Sequence, residues 1–144
     1  LALRHPLDCV LSCWMQNFTL NASMANMVDL VRIVDFYCTA MEMLKLCEQR
    51  YSIDIYPIRY EDLVIDFKET ISNLMNFLEL SWEDRLIGYQ KTALSRAKIN
   101  TPSYSQVVKP IYETAAYRWK KYENHLQPHK TKLARWINEF GYDV

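Results

Sequence analysis

The chain has 144 residues, of which 50% are hydrophobic and 24% are charged. This composition is typical of a globular domain with a single core and excludes a disordered chain. No apolar run approaches the roughly 20 residues of a membrane helix, and no signal-peptide pattern opens the sequence. The first residue is Leu1 rather than Met, and residues 1–3 already look like the end of a strand, so we expect a C-terminal piece of a longer protein. We expect that protein to be cytoplasmic.

The net charge is zero, but the charges are unevenly distributed along the chain. Residues 1–90 contain seven Lys/Arg and thirteen Asp/Glu, a balance of −6, whereas residues 91–136 contain ten Lys/Arg and two Glu, a balance of +8. A basic segment of this kind favours an anionic partner. A solvated basic helix face explains the same charges, and the charge pattern alone does not choose between the two.

The four cysteines, Cys9, Cys13, Cys38 and Cys47, form no C-x-x-C pair. Cys9 and Cys13 are four residues apart, which places them on one face of a helix as small apolar groups. His5 is the one histidine close to them in sequence, so the pattern does not favour a zinc site. We therefore expect no metal cofactor.

At the N-terminus, the apolar residues 1–3 predict the end of a buried strand, with a helix directly behind it. Pro6 suits the first helical turn, where its missing N–H costs nothing, and Asp8 favours the same turn through the helix dipole. Apolar residues recur at helical spacing over residues 9–18. The polar stretch 19–26 then predicts a connection.

A long helix is predicted over residues 28–49, where apolar residues keep the helical period. Either Asn26 or Asp29 can provide its N-cap. Residues 51–60 switch to a period of two, which predicts a strand. Pro57 restricts that strand to a sheet edge or a bulge, because proline has no N–H to donate.

Helical spacing returns over residues 61–80. The sequence SWED then resembles a capping box, with Ser81 as N-cap and Asp84 in the position usual for Glu. It predicts a further helix that runs through about Leu94. Two prolines and several hydroxyl residues over 97–112 predict a long ordered loop.

The last part of the chain predicts two helices separated by a proline. Residues 113–126 are amphipathic, Pro128 is expected to break the helix, and residues 129–140 form the last helix, which Gly141 ends as a C-cap. The order of strands and helices fits an α/β fold with a right-handed crossover between parallel strands. Two strands are too few for a stable open sheet, so further strands are expected outside this chain.

The opening stretch LRHPLDCVLS, residues 3–12, suggests an anion site. In an open parallel sheet, ligands bind beyond the carboxyl ends of the strands, and Arg4 lies at such an end. The helix behind it offers free N–H groups and a positive dipole end to a phosphate, and Ser12 can add a hydroxyl. The pair is therefore a candidate phosphate clamp. The alternative is an arginine paired with a nearby carboxylate, together with a buried serine.

Three motifs occur together in this sequence: LRHPLDCVLSCWMQNF at residues 3–18, IRYEDLV at 58–64, and TPSYSQVVKPIY at 101–112, which RWKKY follows at 118–122. Their order and intervals resemble those of the sulfotransferase superfamily over essentially the whole chain. The sequence is similar to the C-terminal half of bacterial sulfotransferases that often follow tetratricopeptide repeats and that are related to tyrosylprotein sulfotransferases. An upstream repeat domain is compatible with this resemblance.

The resemblance implies that residues 1–144 are a partial sulfotransferase domain. The fold would be α/β, the helix-rich C-terminal portion of the P-loop-like nucleotide-binding fold of this family, with few parallel strands. The implied cofactor is 3′-phosphoadenosine 5′-phosphosulfate (PAPS), from which the complete protein would transfer a sulfuryl group to an acceptor hydroxyl or amine. Arg4 and Ser12 match the pair that holds the 3′-phosphate in the family, and Tyr60, at the head of YEDL, matches the tyrosine near the adenine.

Further matches to cofactor-binding positions lie in the second half of the chain. Ser103 and Gln106 fall in the loop that closes over the cofactor in tyrosylprotein-type enzymes, and Lys109 in the same loop is given less weight. Arg118 stands where those enzymes carry a lysine that reaches the phosphates, so the charge is kept but the geometry changes. Gln16 stands where they carry a further arginine, which leaves one phosphate contact unmatched.

Two features of the family are missing from this sequence. The phosphosulfate loop P-x-S-G-[TS] is absent, because the two glycines, Gly88 and Gly141, lack its surroundings. His5 is not in the place of the general base of the family, so no catalytic residue is assigned, and the chain alone is expected to be inactive. The expected partners are PAPS or its product nucleotide and an unknown acceptor, with no nucleic acid and no membrane.

Two other interpretations remain open. One is a non-catalytic anion- or nucleotide-binding module that uses the basic segment, where YRWKKYENHL mixes aromatic and basic residues. The other is a fragment of a related P-loop nucleotide kinase, whose G-x-x-x-x-G-K-[ST] motif would lie outside this sequence. The upstream sequence would distinguish the three.

Overall fold

The computed structural model describes residues 1–19, 21–89 and 113–143. The chain divides into two compact units: unit 1 comprises Leu1–Ala2 and Tyr56–Ala115, and unit 2 comprises Leu3–Ile55 and Ala116–Val144. The described elements are, in chain order, the strand β1 (Ala2–Leu3), the helices α1 (Pro6–Trp14) and α2 (Leu30–Tyr51), the strand β2 (Ile58–Arg59), and the helices α3 (Tyr60–Ile65), α4 (Phe67–Phe77) and α5 (Glu123–Glu139). Short 3₁₀ helices cover Met24–Met27, Asp84–Leu86, Glu113–Ala115 and Arg118–Tyr122.

Helix α1, in unit 2, begins where the sequence predicts a helix and ends earlier. Pro6 is its first residue, and His5 is its N-cap, with Nδ1 accepting a hydrogen bond from the Leu7 amide at 3.2 Å. The helix ends at Trp14, so the expectation of a helix through Phe18 is wrong. Trp14 is itself 46% exposed, and without burial a further turn gains little stability.

Helix α2, in unit 2, confirms the long helix predicted over residues 28–49, with its ends slightly shifted. Of the two candidate caps, Asp29 is the one used, because its Oδ1 accepts a hydrogen bond from the Arg32 amide at 2.9 Å. At the other end, Ser52 adopts a left-handed conformation with φ of 49°, and its amide donates to the Glu48 carbonyl. A single left-handed residue of this kind ends a helix.

Helix α5, in unit 2, continues through Pro128, so the expectation that this proline breaks the helix is wrong. A proline inside a helix removes one N–H donor and crowds the preceding turn. Here Pro128 is exposed and lies in the second turn, whereas Leu126 and Leu133 on either side of it are buried. Burial on both sides therefore keeps the backbone helical across the proline.

Gly141 ends α5 as the sequence predicts. Its φ is 71°, a conformation that glycine adopts without strain. Its amide donates to the Asn138 carbonyl at 3.0 Å, and the Tyr142 amide donates to the Ile137 carbonyl at 2.9 Å. This pair of bonds is the Schellman motif, which satisfies two carbonyls at the helix end.

The segment directly before α5 departs from the predicted helix over residues 113–126. Two 3₁₀ helices precede α5, and the second is Arg118–Tyr122. Tyr117, just before it, has a φ of 52°, which an α-helix does not accommodate. The interruption lets Trp119 enter the core while Arg118 stays exposed.

The core of unit 2 is shared by α1, α2 and α5. Because these helices come from both ends of the chain, burial of their apolar faces fixes α1 against residues that are far away in sequence. The core members are Leu7, Val10, Leu11, Ile33, Val34, Trp119, Leu126, Leu133, Ile137 and Tyr142.

The strands β1 and β2 form a two-stranded sheet. The Leu1 amino group donates to the Tyr56 carbonyl at 2.8 Å, and the Leu1 carbonyl accepts from the Ile58 amide at 2.8 Å. In parallel strands, one residue bonds to two residues of the adjacent strand that lie two positions apart in sequence. Leu1 bonds in this way to Tyr56 and Ile58. The strand predicted over 51–60 shortens to β2, because Pro57 directly before it has no N–H for the ladder.

In unit 1, the single helix predicted over residues 61–80 is wrong, because the chain forms α3 and α4 there. Asp66 separates them with a φ of −138° and a ψ of 88°. Its Oδ1 accepts a hydrogen bond from the Glu69 amide at 2.9 Å, so Asp66 is the N-cap of a new helix. A residue with strong capping chemistry has divided a segment with continuous helical periodicity.

The capping box predicted at SWED is also wrong. Ser81 lies outside any helix, and a short 3₁₀ helix begins at Asp84. Asp84 Oδ1 accepts from Trp82 Nε1 at 3.1 Å rather than serving as a box residue. The predicted helix end at Leu94 and the predicted loop over 97–112 lie outside the described residues.

The described part of the chain is helix-rich with one short pair of parallel strands. This agrees with the expectation of a helix-rich α/β fragment. Across the described ranges, no helix combines the length and apolarity that crossing a membrane requires.

Candidate functional site

One face of α1 carries residues whose side chains are polar or sulfur-containing. Asp8, Ser12 and Met15 follow one another at spacings of four and three, so they lie above each other on the same side of the helix. Asp8 is 1% exposed, whereas Ser12 and Met15 are exposed. We call this surface the Asp8–Met15 face.

Arg4 lies at the N-terminal end of the Asp8–Met15 face. Its Nε is 3.8 Å from Asp8 Oδ2, and its side chain remains 24% exposed while that of Asp8 is fully buried. The prediction of an arginine beside a carboxylate is therefore correct for Arg4. The buried serine of the same interpretation is wrong, because Ser12 is exposed.

Arg118 lies at the C-terminal end of the same face. Its Nη2 donates to the sulfur of Met15 at 3.2 Å. The next residue, Trp119, donates its backbone amide to Asp8 Oδ1 at 2.7 Å, a length typical of charge-assisted hydrogen bonds. Asp8 thus contacts Arg4 with one carboxylate oxygen and, with the other, the backbone beside Arg118.

The helix N-terminus does not offer the free amides that the sequence suggests. The Leu7 amide donates to His5 Nδ1 at 3.2 Å. The amides of Asp8 and Cys9 both donate to the His5 carbonyl, at 2.8 and 3.0 Å. The expectation of free N–H groups at this helix end is therefore wrong.

His5 has a structural environment. It is 1% exposed, and its Nε2 is 3.4 Å from the Asp143 carbonyl oxygen. Its ring stacks on Trp119 with centroids 5.0 Å apart and meets Tyr142 edge-on at 5.1 Å. These contacts hold the N-cap of α1 against the C-terminal part of unit 2.

The charge of Arg4 also affects the pKa of Cys13 on α1. Burial raises the pKa of the Cys13 thiol, and the positive charge of Arg4 lowers it in part. The thiol therefore stays protonated at neutral pH.

In the residues that the structure describes, no group of three or more His, Cys, Asp or Glu side chains could hold a metal ion.

Tyr60 belongs to unit 1, where it is the first residue of α3 and follows β2 directly. It is half-buried. The next residue, Glu61, is 2% exposed, and Arg59 Nε lies 3.7 Å from Asp62 Oδ2. The position of Tyr60 at the carboxyl end of a parallel strand is as the sequence predicts.

Of the remaining residues considered for cofactor binding, only Gln16 is among those that the structure describes. Gln16 follows the C-cap of α1 and is half-buried. Ser103, Gln106 and Lys109 lie outside the described residues. The structure thus brings Arg4, Ser12 and Arg118 to one helix face, and it adds the central position of Asp8, which the sequence indicated only as a residue favourable to the first helical turn.

Comparisons with known proteins give a family and a distant relative. A family model described as "Sulfotransferase family" matches residues 1–84, which is more than half of the chain. An uncharacterized protein of Aquifex aeolicus (strain VF5) is 32% identical over 126 residues, which are 87% of this chain and 16% of that protein. The chain therefore spans only a small part of the length of this relative. No solved structure matches the chain.

Proposed function

The chain belongs to the sulfotransferase family, and from this premise we propose that it holds the 3′-phosphoadenosine half of PAPS. The observation that carries the proposal is the Asp8–Met15 face, where Arg4 contacts Asp8, Arg118 contacts Met15, and the exposed residue Ser12 lies between Asp8 and Met15 along the helix. We place the 3′-phosphate on these three side chains. Tyr60, Ser103 and Gln106 complete the proposed contacts on the strength of the family resemblance alone.

The donors of this face suit a phosphate monoester. Such a group carries a charge of about −1.5 to −2 at neutral pH, and two guanidinium groups supply the matching positive charge. Each presents a planar fork of N–H donors that fits phosphate oxygens. Arg4 is 24% exposed and Arg118 is exposed, so both remain accessible to a ligand.

The role of these residues in catalysis is positioning. When bound, PAPS supplies the activated sulfuryl group that the complete protein transfers to an acceptor hydroxyl or amine. Arg4, Ser12 and Arg118 bind a part of the nucleotide that does not react, which converts remote binding energy into orientation of the reacting end. We assign no proton transfer to any residue of this chain and expect the chain alone to bind nucleotide without transferring sulfate.

We also propose a more specific place for the chain within the sulfotransferase family. We place the chain among the sulfotransferases with a P-loop-like nucleotide fold, in the group related to tyrosylprotein sulfotransferases and associated with tetratricopeptide repeats. Their support is the register of the three motifs at residues 3–18, 58–64 and 101–122.

The test compares two nucleotides that differ only in the 3′-phosphate, 3′,5′-adenosine bisphosphate and 5′-AMP. Arg4→Ala should weaken binding of the bisphosphate by about tenfold to a hundredfold, the equivalent of one charge-assisted hydrogen bond. Binding of 5′-AMP should change by less than about twofold. Titration calorimetry on the full chain measures both affinities.

The matched control is Arg32→Ala. Arg32 is also in unit 2, but its side chain is 62% exposed and its Nε lies 3.3 Å from Oδ2 of Asp29, the N-cap of α2. It should leave both affinities unchanged. Equal losses for the two nucleotides in Arg4→Ala would show that Arg4 is structural, and the absence of bisphosphate binding by the unmodified chain would refute the proposed function.

A further inference from the structure

We propose that Asp8 is a positioning residue that orients both phosphate-binding arginines of this chain. The inference rests on the proposed function and deepens it, because it names the group that sets the spacing of Arg4 and Arg118. The carboxylate joins the two ends of the Asp8–Met15 face: Oδ2 lies 3.8 Å from Arg4 Nε, and Oδ1 accepts the Trp119 amide at 2.7 Å.

The first contact constrains the Arg4 side chain. The guanidinium and the carboxylate form an ion pair at 3.8 Å, which is longer than a hydrogen bond, and the Arg4 side chain is partly exposed while that of Asp8 is fully buried. An arginine whose side chain is restricted by such an ion pair loses less side-chain entropy when it binds a phosphate than a freely rotating one does. Asp8 therefore prepares Arg4 for the ligand without contacting the ligand itself.

The second contact constrains the backbone that carries Arg118. Trp119 is 111 residues away from Asp8 in sequence, and its amide bond to the carboxylate is buried. Because Arg118 precedes Trp119 directly, holding this amide places Arg118 above α1, where its Nη2 reaches Met15. Tyr117, the residue before it, adopts a left-handed φ of 52°, which the surrounding contacts must hold in place.

Because Asp8 is charged, the proposal can be tested by whether neutralising Asp8 weakens or strengthens phosphate binding. A carboxylate close to a phosphate site repels the phosphate. If Asp8 were only a buried partner of Arg4, neutralising it would strengthen phosphate binding. If Asp8 orients Arg4, the loss of order exceeds the relief of repulsion, and binding weakens.

The experiment uses Asp8→Asn and Asp8→Ala in the full chain. The amide of Asp8→Asn keeps an oxygen for the Trp119 N–H but loses the charge that attracts Arg4. We expect about twofold to tenfold weaker binding of 3′,5′-adenosine bisphosphate, the equivalent of ordering one long side chain on binding, with 5′-AMP binding and hydrogen exchange at the Trp119 amide unchanged. Asp8→Ala should weaken bisphosphate binding further and also accelerate exchange at Trp119.

The control is Asp35→Asn, which neutralises an exposed carboxylate on α2 that pairs with Lys132. It should alter neither nucleotide affinity. Asp8→Asn keeps the shape of the side chain, so it decides the question alone if Asp8→Ala does not fold.

Unchanged or stronger bisphosphate binding in Asp8→Asn would overturn the positioning role, as would equal losses for both nucleotides, which a general structural defect would produce. These outcomes differ from failure of the proposed function, which would appear as no bisphosphate binding by the unmodified chain and would remove the inference with it. A selective loss for the bisphosphate supports both.

Discussion

Helices α5 and α4 are both amphipathic, but they differ in how much apolar surface they bury. In α5, which belongs to unit 2, Leu126, Leu133, Trp136 and Ile137 are at most 1% exposed. In α4, which belongs to unit 1, no residue is fully buried, and Phe77 is 42% exposed. The apolar face of α5 enters a core shared with α1 and α2, whereas α4 packs within its unit on the six-residue α3.

The difference in burial between α5 and α4 shows that amphipathic periodicity predicts a helix but not how much that helix stabilises the fold. Apolar periodicity specifies that a segment is helical and which face is apolar. The stability gained depends on how much of that face leaves water, because the hydrophobic contribution is proportional to buried area. The free energy of folding should therefore be concentrated in unit 2, which also carries the Asp8–Met15 face.

The largest expected effect is the contrast between buried and exposed leucines. Leu133→Ala should lower the free energy of unfolding by about 2–5 kcal/mol, because it leaves a cavity in the core. Leu78→Ala, at the end of α4, should cost about 0.5 kcal/mol or less, because Leu78 is 47% exposed and Leu133 is fully buried. Urea denaturation of both variants measures the difference, and equal losses would show that unit 1 buries as much as unit 2.

A smaller effect is expected from removing one helix cap in each unit. Asp29 and Asp66 each accept one backbone amide at 2.9 Å, at the starts of α2 and α4. Asp29→Ala should lower the global free energy of unfolding by about 1 kcal/mol. Asp66→Ala should instead accelerate hydrogen exchange within α4, because a helix without a buried face can open locally. A global loss from Asp66→Ala as large as that from Asp29→Ala would contradict the comparison.

The smallest effect concerns the stability of unit 2 at high pH. Burial raises the pKa of Cys13 above its ordinary value of 9.0, and Arg4 opposes the shift. The folded state therefore holds the thiol proton more tightly than the unfolded state does. This contribution is fully present below pH 9.0 and is lost as the pH rises through the folded-state pKa.

The rate of Cys13 alkylation as a function of pH measures that pKa in the folded chain. Its midpoint should lie above 9.0 and should rise further in Arg4→Ala, which removes the opposing charge. In Cys13→Ala, the loss of stability at high pH should become shallower without disappearing, because burial also raises the pKa values of Tyr37 and Cys38. A midpoint below 9.0 would mean that Cys13 is not buried as described.

Local chemistry made several features of the fold predictable. Asp29 caps α2, and Gly141 ends α5, because both depend on the preference of one residue for one backbone geometry. Other local preferences were overridden. Pro128 does not break α5, because buried residues on both sides hold the helix. Asp66 divides a segment whose periodicity alone indicated one helix.

The sequence by itself determined the family motifs and the strand-to-helix start at Arg4 and Pro6. Tertiary structure alone decided that Arg4 and Arg118 share one helix face. Arg4 meets Asp8 through a local contact at a spacing of four residues, whereas Arg118 precedes an amide that bonds to Asp8 from 111 residues further along the chain. No local pattern encodes a hydrogen bond of this range, since it forms only when α1, α2 and α5 bury their apolar faces together.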